Sequence, residues 1–285
     1  MSAWDQDWPA PAKLNLFLHV TGRRADGYHE LQTAFRLIDL ADTLRFSPRA
    51  DGKVLALQPL PGVPPERDLC VRAALLLKDA TGHQGGVEIG LEKRIPMGGG
   101  LGGGSSDAAT TLLALNHLWQ SGLKRGQLQQ LALKLGADVP VFVFGESAFA
   151  EGVGERLTPI ALPAAWYLVL VPPVAVPTAE VFAYPELTRE TKPIKITAFF
   201  GGLKTRTLRN DLEPVVSKHY PEVARHLAWL NQHSEAHMSG SGACVFAGFS
   251  TQSAAYAVQA ELPQTMRGFV TQGLAHHPLR GLIDD

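Results

Sequence analysis

The most informative stretch of the chain is Pro96-Met-Gly-Gly-Gly-Leu-Gly-Gly-Gly-Ser-Ser-Asp107. Its six glycines leave few side chains, so another group must approach this backbone closely. Glycine also permits positive φ, which lets successive N–H groups converge on an anion. The residues from Asp107 to Asn116 are rich in helix formers, so we predict a helix that Ser105, Ser106 or Asp107 caps. A glycine-rich loop that runs into a helix N-terminus predicts a phosphate-binding site.

Other glycine-rich patterns fit this stretch less well. Gly98, Gly100 and Gly103 match the spelling of the dinucleotide fingerprint, but no βαβ unit with an acidic residue about twenty positions later follows. The Walker pattern requires a lysine after the last glycine, and Ser105 stands there. A flexible glycine linker is not normally followed at once by an apolar helix. The stretch therefore predicts a phosphate-binding loop of a different class.

Composition places the chain among soluble globular proteins. It has 285 residues, of which 45% are hydrophobic and 19% charged, enough for one large domain or two ordinary ones. The net charge of −1 gives no electrostatic argument for binding nucleic acid or an anionic membrane surface. Cys70 and Cys244 stand beside apolar residues, so we predict buried free thiols. No signal peptide or membrane span is predicted, and we expect a cytoplasmic protein.

Two polar segments near the N-terminus are candidates for a binding site. Alternation from Ala12 onwards predicts a strand on which Lys13 and Asn15 share one face, either exposed to solvent or directed into a cleft. Tyr28 and His29 follow a predicted turn. They could stack on and hydrogen-bond to a planar heterocycle, although ordinary packing is the common role of such a pair.

A single carboxylate, Asp138, stands between a predicted helix over 124–135 and the apolar run Val139–Phe144, which predicts a strand. An acidic residue in this position is either a hydrogen-bonding group at a helix end or a catalytic carboxylate. Prolines become frequent soon afterwards, and we place a domain boundary there, giving domains 1–157 and 158–285.

The second half of the chain contributes three further features. Thr178 is predicted to cap a helix that contains Phe182. The polar residues 188–207 predict a mobile connection. The sequence Ser239-Gly-Ser-Gly-Ala243 predicts a tight turn that leads into an apolar strand.

The order of Pro11-Ala-Lys-Leu-Asn15, the glycine loop and Ser239–Ala243 resembles the GHMP kinase superfamily. Further segments resemble a branch whose acceptor carries a cytidine diphosphate group, in non-mevalonate isoprenoid precursor biosynthesis; they are Arg24–Leu31, Leu135–Pro140 and Ala150–Gly154. The resemblance implies an α+β, two-domain GHMP kinase fold with the active site in the interdomain cleft. It also implies an ATP-dependent kinase that phosphorylates a hydroxyl of this acceptor.

The resemblance assigns catalytic and ATP-binding roles to individual residues. Asp138 is the implied general base and Lys13 its charged neighbour. Mg²⁺ is implied to arrive with ATP, and the hydroxyl of Ser105 or Ser106 could reach it, without a metal site fixed by the protein alone. The ATP phosphates are implied to lie on the loop residues Pro96, Met97, Gly98, Gly99, Gly100, Leu101, Gly102, Gly103, Gly104, Ser105 and Ser106.

On the acceptor side, Tyr28 and Phe182 are implied to sandwich the cytosine, and His29 to hydrogen-bond it. Asn15 and Thr178 are implied to hydrogen-bond the rest of this small molecule. We expect neither nucleic acid nor membrane as a partner, and a monomer or weak homodimer.

Two positions depart from the family pattern. Asp107 stands where the family often has an amide, and it would repel ATP oxygens unless it faces away or binds Mg²⁺. Arg67-Asp68-Leu69 replaces the more usual Asp-Asn-Leu, where Asp68 is a candidate adenine contact.

Overall fold

We describe the protein from a computed structural model, which covers residues 3–205 and 208–283. Two sheets, each accompanied by helices, form the described part of the chain. The strands are β1 Trp8–Arg23, β2 His29–Arg49, β3 Val54–Ala56, β4 Gly86–Glu92, β5 Ala148–Glu151, β6 Arg156–Pro159, β7 Trp166–Leu170, β8 Ala236–Met238, β9 Val245–Phe249 and β10 Gly268–Gln272. The helices are α1 Leu69–Thr81, α2 Gly103–Leu118, α3 Arg125–Leu135, α4 Val139–Phe144, α5 Thr178–Ala183, α6 Ile196–Thr205, α7 Glu213–His219, α8 Pro221–Leu230 and α9 Gln252–Ala260.

The first sheet is built on the long strand β2. Its order is β3-β4-β2-β5-β6, and β1 also pairs with β2. Every pairing in it is antiparallel except that of β3 with β4. Helices α1 to α4 cover this sheet with a large apolar core, because their buried faces carry mostly alanine, leucine, valine and phenylalanine.

The second sheet has the antiparallel order β10-β7-β9-β8. Helices α7 and α8 contribute to its core, and Leu18 and Val20 of β1 reach into the same core. The chain leaves the first sheet after Pro159, yet Leu279 and Ile283 pack in the core of the first sheet again. The division of the chain into domains 1–157 and 158–285 stays a prediction.

The structure corrects two secondary-structure predictions. Val139–Phe144, predicted as a strand, is the helix α4. Its β-branched run favours a strand locally, but Pro140 fits the first turn of a helix, and burial against α2 and α3 outweighs local propensity. Residues 188–207, predicted as a mobile connection, include the helix α6; residues 206 and 207 lie outside the described part.

Neither predicted helix cap forms as expected. Helix α2 begins after Gly102, which has a left-handed conformation, and no side chain of Ser105, Ser106 or Asp107 caps it. Helix α5 begins after Pro177, and Thr178 lies in its first turn rather than at the cap position. Among the described helices, none combines the length and the apolar character that crossing a membrane requires.

Candidate active site

The three motifs converge on one cavity of about 600 Å³ between the two sheets. Lys13 and Asn15 of β1 line it, as do the glycine loop and the turn at Gly240–Gly242. The backbone ties these segments together. The amide of Lys13 donates to the carbonyl of Leu101 at 2.9 Å, and the amide of Cys244 donates to that of Gly99 at 3.1 Å. Residues far apart in the chain therefore form one site.

Lys13 and Asp138, which both line this cavity, form an ion pair. The Nζ of Lys13 lies 3.2 Å from Oδ2 of Asp138, and the two side chains are 3% and 38% exposed. Asp138 stands at the start of α4 but makes no side-chain capping bond, so its carboxylate is not used to satisfy the helix end. The helix-end hydrogen bond, one of the two roles open to Asp138 from the sequence, is therefore not formed.

Asn15 holds the ammonium group of Lys13 from the other side. Its Oδ1 accepts a hydrogen bond from Lys13 Nζ, and its Nδ2 donates to Thr33 Oγ1 at 2.9 Å. The predicted common face of Lys13 and Asn15 is therefore confirmed, and this face points into the cavity. Because its amide is fixed by Thr33, Asn15 orients the lysine.

The glycine loop has the backbone geometry that anion binding requires. Gly98, Gly100 and Gly102 have φ values of 68°, 73° and 74°. Gly102 precedes α2 without a side-chain cap, so the first amides of this helix have no intrahelical acceptor. Left-handed residues at alternate positions, followed by a helix N-terminus beside a cavity, favour the binding of phosphate oxygens.

The two serines of the loop have different environments. Ser105 lines the cavity. Ser106 is fully buried, and its hydroxyl donates to the carbonyl of Pro11 at 2.6 Å, so it is committed to holding β1. Of the two serines considered for Mg²⁺, only Ser105 lines the cavity.

Asp107 belongs to a buried charge cluster beneath the loop. Its Oδ2 accepts from Lys93 Nζ at 2.7 Å, and the same ammonium group contacts Oδ2 of Asp42. Asp107 Oδ1 is buried without a hydrogen-bond partner among the described residues. Burial raises the pKa of Asp107 to about 7; Lys93 opposes this shift and Asp42 adds to it. Asp107 is also one of the residues that line the cavity.

Asp68, the candidate adenine contact, caps α1. Its Oδ1 accepts from the amides of Cys70 and Val71 at 2.8 and 3.2 Å. Asp68 also lines the cavity although it is only 5% exposed. The carboxylate therefore has a structural role that is independent of any nucleotide.

The predicted base-binding residues are only partly assembled. Phe182 lines the cavity, and the ring of His29 stacks on it with centroids 4.9 Å apart and planes inclined by 24°. Tyr28 is 64% exposed, and neither Tyr28 nor His29 lines the cavity. In this conformation the neighbour of Phe182 is thus an imidazole rather than the ring of Tyr28.

Three residues without a predicted role belong to this region. Ser241 lines the cavity, and its hydroxyl lies 2.7 Å from that of Thr178. Thr178, a predicted acceptor-binding residue, is therefore linked to the turn at Gly240–Gly242. Lys93 holds Asp107, and Arg189 contacts His29. The sequence motif Ser239–Ala243 already pointed to Ser241 as part of the site. Lys93 and Arg189 stand in ordinary polar segments, so no sequence pattern indicated a role for them.

Family models match both halves of the chain. The model of the GHMP kinases N terminal domain matches residues 68–146, and the GHMP kinases C terminal model matches residues 198–268. A 4-diphosphocytidyl-2-C-methyl-D-erythritol kinase of Nitrosospira multiformis is 65% identical over 97% of this chain and 94% of its own length. The enzyme of the same name from Thiobacillus denitrificans is 61% identical over 98% and 99%.

Solved structures agree with this relationship. A crystal structure of 4-(cytidine 5'-diphospho)-2C-methyl-D-erythritol kinase has a TM-score of 0.81 and 38% identity, covering 94% of this chain and all of the other. A crystal structure of mevalonate kinase, with a TM-score of 0.71 and 17% identity over 96% of this chain and 100% of the other, shares the fold. The α+β GHMP kinase fold expected from the sequence is therefore confirmed. The chain belongs to the 4-diphosphocytidyl-2-C-methyl-D-erythritol kinases within the GHMP kinases, and it is a small-molecule kinase.

Proposed function

We propose that the chain transfers the γ-phosphoryl group of ATP to the 2-hydroxyl of 4-diphosphocytidyl-2-C-methyl-D-erythritol, giving the 2-phosphate and ADP. The observation that carries this proposal is the Lys13–Asp138 pair, which lies in the same cavity as the glycine loop. Phosphates on the loop would place the γ-phosphoryl group near this pair. The names of the relatives supply the acceptor.

The reaction needs mainly positioning and charge stabilisation. We assign Asp138 to accept a hydrogen bond from the acceptor hydroxyl and to take its proton as the phosphoryl group is transferred. Lys13, which is paired with this carboxylate, would offset negative charge on the transferred group. Asn15, which fixes the ammonium group, and Thr178, which is paired with Ser241, would orient the acceptor.

The loop residues also fit the magnesium ion that accompanies ATP. Ser105 lines the cavity, and Asp107 Oδ1 is a buried oxygen without a hydrogen-bond partner among the described residues. Hard oxygen ligands of this kind suit Mg²⁺, which commonly takes one or two protein ligands and shares the phosphates. When bound, the ion supplies positive charge to the phosphate oxygens. The backbone amides at the start of α2 would hold the same oxygens.

The first test is direct. Purified protein is incubated with Mg²⁺-ATP and 4-diphosphocytidyl-2-C-methyl-D-erythritol, and products are followed by phosphorus NMR. We expect a new phosphomonoester signal with a matching amount of ADP. ATP consumption only with another small alcohol would reject the acceptor. Absence of turnover with every alcohol would reject the catalytic function in favour of a nucleotide-binding module.

Asp138→Asn tests the assignment of the base. We expect turnover to fall by about 10²-fold or more, within the usual contribution of general acid–base catalysis, while the Kd for ATP changes less than about twofold. Asp79→Asn, at an exposed position on α1, is the matched control and should keep full activity. Turnover of Asp138→Asn within about threefold of wild type would show that this carboxylate is not the base.

A further inference from the structure

The guanidinium group of Arg189 joins two segments at the edge of the cavity. Its Nη2 donates to the carbonyls of Phe182 and Tyr184 at 3.0 and 2.6 Å, and its Nη1 to that of Leu187 at 3.1 Å. Its Nε lies 3.3 Å from Nε2 of His29. One side chain thus satisfies carbonyl groups at the C-terminal end of α5 and also contacts the first residue of β2.

This contact fixes the protonation of His29. An arginine side chain only donates hydrogen bonds and stays charged, so Nε2 of His29 must be the acceptor. The imidazole is then neutral and carries its hydrogen on Nδ1. Burial lowers the pKa of His29, and the charges of Arg189 and Arg23 lower it further, which agrees with a neutral ring.

We propose that Arg189 is a positioning residue that holds His29 as its Nδ1–H tautomer against Phe182, so that the imidazole offers a hydrogen-bond donor to the pyrimidine of the acceptor. The ring is placed by its stacking on Phe182, whose carbonyl the same guanidinium group binds. Cytosine presents the acceptors O2 and N3 on one edge, which a neutral imidazole donor matches. The identity of the base rests on the proposed function.

The tautomer can be measured without a substrate. Protein labelled with ¹⁵N-histidine gives two-bond proton–nitrogen spectra at pH 8, and the signals of His29 are identified by their absence in His29→Gln. We expect the wild-type pattern to show a protonated Nδ1 and an unprotonated Nε2. In Arg189→Met the pattern should shift toward protonation of Nε2, because the donor that occupies this nitrogen is gone.

Steady-state kinetics measure the consequence for the acceptor. For Arg189→Met we expect the KM of the cytidine diphosphate-linked acceptor to rise about three- to tenfold, as for the loss of one hydrogen bond. The KM of ATP and kcat should change less than about twofold. A merely structural defect would instead lower kcat or affect both substrates. Arg225→Met, at an exposed position on α8, is the matched control and should behave as wild type.

Two results would overturn the proposal. A wild-type spectrum with His29 protonated on Nε2 excludes it, whether or not Arg189→Met folds. An unchanged acceptor KM in a folded Arg189→Met also excludes it. If wild-type protein phosphorylates no cytidine diphosphate-linked acceptor, the proposed function fails, and the spectra of the free protein still decide whether Arg189 sets the tautomer.

Discussion

Lys93 lies between two buried carboxylates next to the glycine loop. Its Nζ contacts Asp42 and Asp107, and Asp42 Oδ1 accepts in addition from the amide of Ile95 at 2.8 Å. The segment that enters the loop and helix α2 are thus linked through one ammonium group. Burial raises the pKa of this lysine's partner, Asp107, to about 7.

The raised pKa of Asp107 makes stability depend on pH. In the unfolded chain this carboxyl ionises near its usual pKa of 3.8, whereas the folded protein holds the proton until about pH 7. The folded state therefore binds more protons between these values, and its stability falls as the pH rises through them. In the absence of Mg²⁺, we expect wild type to lose about 2–3 kcal/mol relative to Asp107→Asn between pH 5 and pH 8.

Urea unfolding at pH 5 and pH 8 measures this difference. Asp79→Asn, which removes an exposed carboxylate from α1, serves as the control and should follow wild type. Parallel pH dependence in wild type and Asp107→Asn would show that Asp107 is ionised in the folded state throughout this range.

At the scale of elements, the glycine loop is held by the turn that precedes β9. Ser239 Oγ donates to the carbonyl of Gly100 at 2.9 Å and accepts from the amide of Asn15 at 3.2 Å. A Cβ on Gly99 would lie 2.6 Å from Cys244 Sγ. The glycines of this loop therefore serve close packing between the two halves as well as backbone conformation.

Two glycines of the loop distinguish the effect of close packing from that of backbone conformation. Gly98 and Gly100 both have positive φ, but a Cβ on Gly98 meets nothing within 4 Å, whereas on Gly100 it lies 2.0 Å from the carbonyl oxygen of Ser239. We expect Gly98→Ala to cost about 1–2 kcal/mol of stability, the penalty of the left-handed conformation. Gly100→Ala should cost more and weaken ATP binding at least tenfold, because the loop must move away from the turn.

Thermal unfolding and ATP titration of the two variants test this comparison. Gly126→Ala in α3 is a useful reference, since its added Cβ meets nothing within 4 Å and alanine favours a helix. Equal ATP affinities of Gly98→Ala and Gly100→Ala would show that close approach of the turn does not shape the loop.

At the scale of the whole molecule, the last described residues are fastened to the first core. Buried Arg125 donates to the carbonyls of Val143, Arg280 and Ile283, at 2.9, 2.9 and 2.8 Å. The side chain of Ile283 is itself part of this core. After the second sheet, the chain therefore returns to the first core, where its last described residues stabilise helices α3 and α4 near Asp138.

Arg125→Met should release this attachment. Three carbonyl groups would lose their charged donor, which we expect to cost about 2–4 kcal/mol of stability. Hydrogen exchange should rise first in residues 274–283, before the strands of either sheet exchange. Arg156→Met, at an exposed position on β6, is the control. Unchanged protection of residues 274–283 would mean that apolar packing alone retains them.

The sequence by itself identified the segments that line the cavity. The glycine loop, the Lys13–Asn15 strand and the carboxylate before Pro140 could be predicted, because side-chain periodicity and glycine content depend on local rules. Their order along the chain was sufficient to indicate the GHMP kinases. Expectations about oligomeric state and cellular location stay predictions, as do the roles of the individual site residues.

Tertiary structure decided what local rules could not. The run Val139–Phe144 became a helix because burial between other helices outweighs β-propensity. The hydroxyl of Ser106 is occupied by a hydrogen bond to Pro11, and Lys93, which follows β4, contacts Asp107 of α2. The contact of Arg189 with His29 spans 160 positions of sequence. Such contacts depend on how distant elements pack, and no local pattern encodes them.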